Sequence, residues 1–168
     1  MVQTAQRTFA KRGDVELYGL KQYPINKKTT EELEIGDIVA RKDDLTPAYF
    51  HLYASGDKRP FYMVRGRMLK VTSGYQVMDA GNYVAALAAD PTVSGVAEGC
   101  VVLDVDGTIS PGHYAMPLNG GKKVKEWDET NEYEKCALFL GAPGQNTGEY
   151  VATDVTNGLG VFQWIGGV

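Results

Sequence analysis

Cysteine and histidine are scarce in this sequence, with two of each among 168 residues. Cys100 and Cys136 are too few for a disulfide framework, and no closely spaced pair is typical of a zinc site. Both cysteines border apolar runs, so we expect buried free thiols; a single disulfide between them is the alternative. His51, among aromatic residues, is expected to be a hydrogen-bonded structural residue. His113, after a Pro-Gly pair, is expected to be a loop residue.

The sequence also lacks a long apolar run and a net positive charge. No segment approaches the length that spans a bilayer, and the N-terminus has no apolar core of a signal peptide. We therefore expect synthesis and folding in a reducing cytoplasm, without a membrane partner. The net charge of −4 provides no domain-wide positive field that collects phosphates, which argues against general nucleic-acid binding.

Glycine, in contrast, is abundant, with 20 residues spread along the chain, and 10 tyrosines accompany them. This composition is typical of many short strands joined by tight turns. We predict a mainly β protein: a single antiparallel β-sandwich or barrel-like domain at residues 14–168, preceded by a flexible N-terminal arm at residues 1–13. One or two short helices are expected, at Asn82–Ala89 and after Asp128 within Lys122–Lys135.

The run Val101–Gly112 contains a string that resembles a catalytic motif. Asp104-Val105-Asp106-Gly107-Thr108 is similar to the first motif of the haloacid dehalogenase-type phosphatases. That resemblance implies that Asp104 is the nucleophile, that Asp106 is the general acid/base and that a magnesium ion bridges Asp104 to the phosphate. The chemistry is sound, because a carboxylate attacks phosphorus when a cation offsets the charge on both partners.

We favour an architectural interpretation of the same run. The phosphatases are doubly wound α/β proteins, whereas the remaining third of this chain shows no repeated helix–strand alternation. Asp106-Gly107 is a typical two-residue turn, so we predict a hairpin in which Val105 faces Thr108 and Asp104 faces Ile109. The hypothesis is then a structural protein without catalytic residues, metal or cofactor.

One stretch, Lys58–Lys70, is strongly basic, and its arginines are Arg59, Arg65 and Arg67. Arginines interleaved with aromatic residues are suited to single-stranded nucleic acid. Because the chain as a whole is acidic, we favour a long hairpin around Gly66 whose charged side faces water or an acidic partner. The acidic counterpart is Glu126–Glu134, and patches of opposite sign on one chain suit head-to-tail contacts around a ring.

The C-terminal end is apolar, with no charged side chain in Val161–Val168 and no lysine or arginine from Cys136 onward. Asn157-Gly158 is a second hairpin signal, between strands predicted at Glu149–Val155 and Leu159–Ile165. A neutral, aromatic end is expected inside a core or an interface. Its apolar residues include Phe162, Trp164 and Ile165.

Two further patterns carry a family resemblance. Glu34-Ile35-Gly36-Asp37-Ile38-Val39 and Val96–Gly107 are similar to segments of the small β-rich capsid decoration (cement) proteins of tailed bacteriophages. Those proteins often sit as trimers on the capsid exterior and clamp neighbouring shell subunits, with an N-terminal arm that helps to anchor them. This chain departs from the smallest members by extra segments around Lys42–Arg59 and Gly112–Lys135.

The resemblance implies a virion structural protein that stabilises an assembled capsid through subunit-bridging contacts. Its implied partners are the major capsid protein and further copies of itself, as a homotrimer. Its implied location is the host cytoplasm before assembly and the capsid exterior afterwards. The interface candidates are Arg7, Lys11, Arg12, Arg59, Arg65, Arg67, Phe162, Trp164 and Ile165.

A third class, a carbohydrate-binding β-module, stays open because of the tyrosine and tryptophan content alone. Glycan binding that requires Trp127 or Trp164 would favour that class over the other two.

Overall fold

The computed structural model describes residues 10–14, 24–29, 31–42, 49–71, 74–78, 83–84, 92–144 and 149–167. Within these ranges the chain forms sixteen strands and one 3-10 turn, Glu132–Glu134. The strands are β1 (Pro24–Thr29), β2 (Leu33–Glu34), β3 (Ile38–Lys42), β4 (Tyr49–Leu52), β5 (Phe61–Val71), β6 (Gly74–Met78), β7 (Tyr83–Val84), β8 (Thr92–Val96), β9 (Gly99–Asp104), β10 (Thr108–Ile109), β11 (Tyr114–Pro117), β12 (Val124–Glu126), β13 (Ala137–Pro143), β14 (Tyr150–Val151), β15 (Val155–Thr156) and β16 (Leu159–Trp164).

The first sheet has the strand order β3-β4-β1-β8-β5-β6, and β3 also pairs with β5. That extra pairing closes β3, β4, β1, β8 and β5 into a ring. Successive side chains of a strand point to opposite faces, so every second residue enters the ring. The residues that fill it form one apolar cluster, which includes Val39, Phe50, Tyr62, Val64 and Val93.

The second sheet has the strand order β12-β11-β13-β16-β9, with antiparallel pairing between these neighbours. Its strand β16 carries Phe162 and Trp164 into the core. Phe162 packs on Phe139, with ring centroids 5.1 Å apart. Trp164 donates its indole N–H to the carbonyl of Phe61 at 3.1 Å. Since Phe61 belongs to the first sheet, this hydrogen bond joins the two sheets.

A larger apolar cluster fills the space between the sheets. It combines residues on the outer face of the ring, such as Ile38 and Met63, with residues of the second sheet. This sandwich-like packing of mostly antiparallel sheets confirms the predicted fold class. Cys100 and Cys136 are buried free thiols, which confirms that prediction too.

The predicted hairpin at Val101–Ser110 is wrong, although its turn is correct. Gly107 has a φ of 80°, and the chain bends there. However, β9 and β10 do not pair with each other: Asp104 faces Leu159 of β16, and Thr108 faces Thr156 of β15. The strand β16 offers β9 a ladder along its whole length, whereas β10 has only two residues.

Two other predicted hairpins are also wrong. Asn157 has a φ of 49° and marks a turn, but β16 pairs with β13 and β9 instead of turning back on β15. Around Gly66, β5 runs on as one strand of 11 residues. Gly66 lies at a register shift opposite β8, and such a bulge tolerates a glycine within a strand.

Helical structure is minimal in the described residues. The turn Glu132–Glu134 lies in the second predicted helix region, and the Asn131 side chain caps it by accepting a hydrogen bond from the Tyr133 amide. In the first region, Tyr83–Val84 forms a strand paired with Leu33–Glu34, and the rest of Asn82–Ala89 lies outside the described residues. Among the described helices, none has the length and apolarity needed to cross a membrane.

Candidate interaction surfaces

The end of the predicted arm is anchored on the domain by a buried ion cluster. The Asp37 carboxylate is fully buried and accepts hydrogen bonds from Arg12 Nη2 at 2.6 Å and from Lys122 Nζ at 2.7 and 2.9 Å. It also accepts one from the amide of Glu34 at 2.8 Å. A buried carboxylate persists when cations and hydrogen bonds compensate it, and Asp37 has both.

Backbone contacts place the arm residues beside the second sheet. The Gly13 amide donates to the Val102 carbonyl at 2.8 Å, and the Val102 amide donates to the Asp14 carbonyl at 2.9 Å. A Cβ atom on Gly13 would lie 2.6 Å from Ile35 Cγ2, so only glycine fits this approach. Residues 12–14 therefore contact β9 of the second sheet and the turn Ile35–Asp37 that precedes β3, while residues 1–9 lie outside the described residues.

The Gly36-Asp37 pair explains why this local sequence builds the anchor. Gly36 has a φ of 94°, a left-handed conformation that favours glycine. The turn brings the Asp37 amide within 3.1 Å of the Glu34 carbonyl and directs the Asp37 side chain toward Arg12. The sequence pattern at Glu34–Val39 did not reveal that this aspartate binds the arm.

The interface candidates predicted from the sequence differ in their exposure to solvent. Phe162 and Trp164 have exposed fractions of 0% and 1%, so they are not surface contacts: their rings fill the space between this chain's own sheets. Ile165 and Arg65 are half-buried, Lys11 is exposed, and Arg12 is held by Asp37. Arg7 and the side chain of Arg67 lie outside the described part.

The basic and acidic stretches meet within one chain. The Arg59 amide donates to the carbonyl of Tyr133 at 2.9 Å, and the Arg59 guanidinium carbon lies 5.9 Å from the centroid of the Tyr133 ring. The two stretches are therefore adjacent in the folded chain, through Arg59 and Tyr133. The ring of Tyr133 is still 61% exposed.

A small cleft lies beside the strands β11 and β12. It has a volume of about 200 Å³, and its lining residues are Gly112, His113, Tyr114, Glu126, Trp127 and Glu129. The backbone pairing sets this arrangement, because Ala115 faces Glu126 and the Trp127 amide donates to the Tyr114 carbonyl at 2.8 Å. The Trp127 indole N–H donates to the carbonyl of Asn131 at 3.0 Å, which holds the ring in place.

An ammonium group lies against the two aromatic rings of the cleft. Lys135 Nζ is 4.0 Å from the Trp127 ring centroid and 4.3 Å from that of Tyr114. It also donates to Glu132 Oε2 at 2.8 Å. These distances are those of cation–π contacts. Lys135 is not among the residues that line the cleft.

Carboxylates dominate the polar lining and rim of the cleft. Glu126 Oε1 lies 2.5 Å from His113 Nδ1, within hydrogen-bond distance. Glu129 is exposed and adopts a φ of 62°, which is uncommon for a residue other than glycine. Hydrogen bonds from the hydroxyl and amide of Thr130 lower the pKa of nearby Asp128.

The two aspartates of the phosphatase-like string occupy different environments. Asp104 ends β9, is 31% exposed and lies 3.9 Å from Lys123 Nζ. Asp106 is exposed in the following bend, while Val105 between them is fully buried and bridges Val124. Within the described ranges, no three His, Cys, Asp or Glu side chains are grouped closely enough to hold a metal ion.

Comparisons with known proteins add no relative: no family model, no curated protein and no solved structure matches this chain.

Proposed function

We propose that this chain is a virion structural protein that binds the outside of an assembled bacteriophage capsid and bridges its subunits. The motif resemblance to cement proteins supports the proposal, and the β-rich, sandwich-like fold is consistent with it. The observation that carries it furthest is the anchoring of residues 10–14 by Arg12, Asp37 and Lys122.

An arm that clamps a neighbouring subunit needs a fixed attachment to its own domain. If residues 1–9 bind a neighbouring subunit, the point at which they join the domain is fixed, because Arg12 binds Ile35 and Asp37 and Gly13 binds Val102. Each contact that the arm makes then acts as a second attachment point beside the domain surface. Linked attachment points raise the overall affinity well above that of either alone.

Stabilisation of the shell follows from mass action. A protein that binds only the assembled state lowers the free energy of that state in proportion to the logarithm of its concentration over its Kd. A homotrimer on the capsid exterior would engage several shell subunits at once. Neither cofactor nor turnover enters this mechanism.

The test is co-sedimentation with empty shells of the major capsid protein encoded in the same genome. The full chain should bind assembled shells and ignore unassembled shell protein, and a variant lacking residues 1–9 should bind more weakly. That deletion is a sharper test than removal of residues 1–12, which would also remove the Arg12 contact with buried Asp37. Equal shell occupancy by the full chain and the shortened variant would reject the arm mechanism.

The phosphatase alternative predicts magnesium-dependent hydrolysis that Asp104→Asn abolishes. We do not propose this activity, because those enzymes need a parallel, helix-covered sheet. The strand β9, which carries Asp104, lies in an antiparallel sheet. Hydrolysis of a generic phosphoester by the wild-type chain, lost in Asp104→Asn and kept in Glu98→Gln, would replace the proposed function with an enzymatic one.

A further inference from the structure

We infer that the cleft lined by Trp127, Tyr114, Glu126 and Glu129 binds an arginine side chain presented by a protein partner. The inference deepens the proposed function, because it assumes that the chain works through protein–protein contacts and names the group that a partner presents. No sequence motif indicated this site. It arises where β11 and β12 pair and the chain after Trp127 folds back toward them.

The size of the cleft suits one side chain. Its volume of about 200 Å³ lies below the roughly 300–1,000 Å³ of sites for drug-sized molecules. Tyr114 and Trp127 form part of its wall. The hydrogen bond from the Trp127 amide to the Tyr114 carbonyl keeps the two residues side by side. Tyrosine and tryptophan that are already fixed in place are typical of residues that contribute most to binding energy.

The charge of the cleft selects a cation. Glu126 and Glu129 are two of its six lining residues, and the contact with His113 fixes one oxygen of Glu126. The lysines in this segment are already engaged, since Lys125 lies 3.6 Å from Asp128 and Lys135 lies 2.8 Å from Glu132. An incoming cation therefore meets carboxylates that these two lysines do not neutralise.

The chain itself contains an example of this recognition. Lys135 shows that the ring pair of Trp127 and Tyr114 accepts a cation at 4.0 and 4.3 Å, with a carboxylate from Glu132 completing the contact. The cleft brings the same two aromatic residues together with Glu126 and Glu129. A guanidinium fits the cleft best because it stacks on aromatic faces and forms paired hydrogen bonds with carboxylates.

The experiment is an NMR titration of the full chain with the peptide acetyl-Gly-Arg-Gly-amide. The two tryptophans give two indole N–H signals: Trp127 reports on the cleft, and Trp164, buried between the sheets, is the internal reference. We expect the Trp127 signal to shift in a saturable way and the Trp164 signal to stay still. The matched peptide with citrulline, which has the same shape without the charge, should cause no shift.

Glu129→Gln and Glu126→Gln should each raise the Kd of the arginine peptide by about tenfold. That factor corresponds to the loss of about one charge-assisted hydrogen bond. Glu98→Gln is the matched control, because it removes the same charge beside Gly99 at the far edge of the second sheet. Glucose and N-acetylglucosamine are titrated in parallel, and a Trp127 shift with a sugar but not with arginine would overturn the inference in favour of glycan binding. Equal shifts with the citrulline and arginine peptides would overturn it as well.

The outcomes separate this inference from the proposed function. Shell binding without arginine-peptide binding would reject the cleft and leave the capsid proposal in place. Arginine-peptide binding without shell binding would reject the capsid proposal and leave the cleft as a docking site for another basic protein.

Discussion

Asn157 and Gly107, fifty residues apart in the chain, are joined by two hydrogen bonds. The Gly107 amide donates to Asn157 Oδ1 at 2.8 Å, and the Asn157 amide donates to the Gly107 carbonyl at 3.0 Å. Beside them, the hydroxyls of Thr108 and Thr156 lie 2.7 Å apart. Two turns that resemble hairpin tips in the sequence are therefore docked against each other.

Substitutions at Asn157 should separate the hydrogen bond from the backbone conformation. Asn157→Gly tolerates the positive φ and loses only the side-chain bond, so we expect a loss of about 1 kcal/mol in the free energy of unfolding. Asn157→Ala loses the same bond and keeps a Cβ in the left-handed region without asparagine's tolerance of it, so it should be less stable than the Gly variant by about 1–2 kcal/mol. Urea denaturation of both variants measures the difference; a larger loss for Gly than for Ala would contradict the assignment.

Arg12 and Lys122 should show strong coupling, because both neutralise Asp37. In Arg12→Met or Lys122→Met one cation still compensates the buried carboxylate, so each substitution should lower the free energy of unfolding by about 1–2 kcal/mol. The double variant leaves that charge uncompensated, and breaking a buried pair costs about 3–5 kcal/mol. We expect the double loss to exceed the sum of the single losses in thermal and urea unfolding.

Lys11→Met is the control for this cycle, since Lys11 is exposed and surface substitutions usually change stability by less than about 0.5 kcal/mol. Strict additivity of Arg12→Met and Lys122→Met would show that Asp37 does not link them.

The free energy of unfolding should decrease at alkaline pH. Burial raises the pKa of the Cys100 and Cys136 thiols, and desolvation, then Glu134 and Asp57, raise the pKa of Tyr53. In the unfolded chain these groups ionise near about pH 8.5 for cysteine and about pH 10 for tyrosine. There the unfolded state binds fewer protons than the folded state, so the free energy of unfolding decreases as pH rises.

Urea midpoints measured from pH 7 to pH 10.5 test this dependence, and Cys136→Ala should flatten the portion above about pH 8.5. Iodoacetamide at pH 8 should modify both thiols quickly in urea and slowly in the native protein, because the thiolate is the reactive form. Rapid native labelling of Cys136 would contradict its burial.

Lys135 should stabilise the segment that carries Trp127. Lys135→Met keeps most of the apolar stem but loses the contacts with the Trp127 and Tyr114 rings, and cation–π contacts contribute about 0.5–2 kcal/mol. We expect a loss in that range and a changed Trp127 indole N–H signal. Lys123→Met, which removes only the 3.9 Å contact with Asp104, should change stability little; an equal loss in both variants would contradict the role of the rings.

Local chemistry explains the features that the sequence predicted well. The turns at Asp106-Gly107 and Asn157-Gly158 form because Gly107 and Asn157 adopt positive φ angles, which these residue types tolerate. The apolar runs at β9 and β16 become buried strands, and the uncharged C-terminal end packs into the core. Each of these features depends on neighbours within a few residues, so the linear sequence contains the information.

Strand partners were not predictable in the same way. Asp106-Gly107 indicated a return strand, yet β9 pairs with β16 more than fifty residues later. The choice between partners depends on which long-range pairing buries the most apolar surface, as in the contact of Phe139 with Phe162. A local turn signal cannot rank those alternatives.

The candidate surfaces depend on this choice even more strongly. Arg12, Asp37 and Lys122 have no spacing in the sequence that links them, and Trp127 and Tyr114 meet only because β11 pairs with β12. By itself, the sequence determined that the chain is β-rich, where it turns and which thiols are buried, since backbone preference and hydrophobicity act over short distances. Only the tertiary structure decided which strands pair and which charges meet, because those contacts join residues that the chain separates by tens of positions.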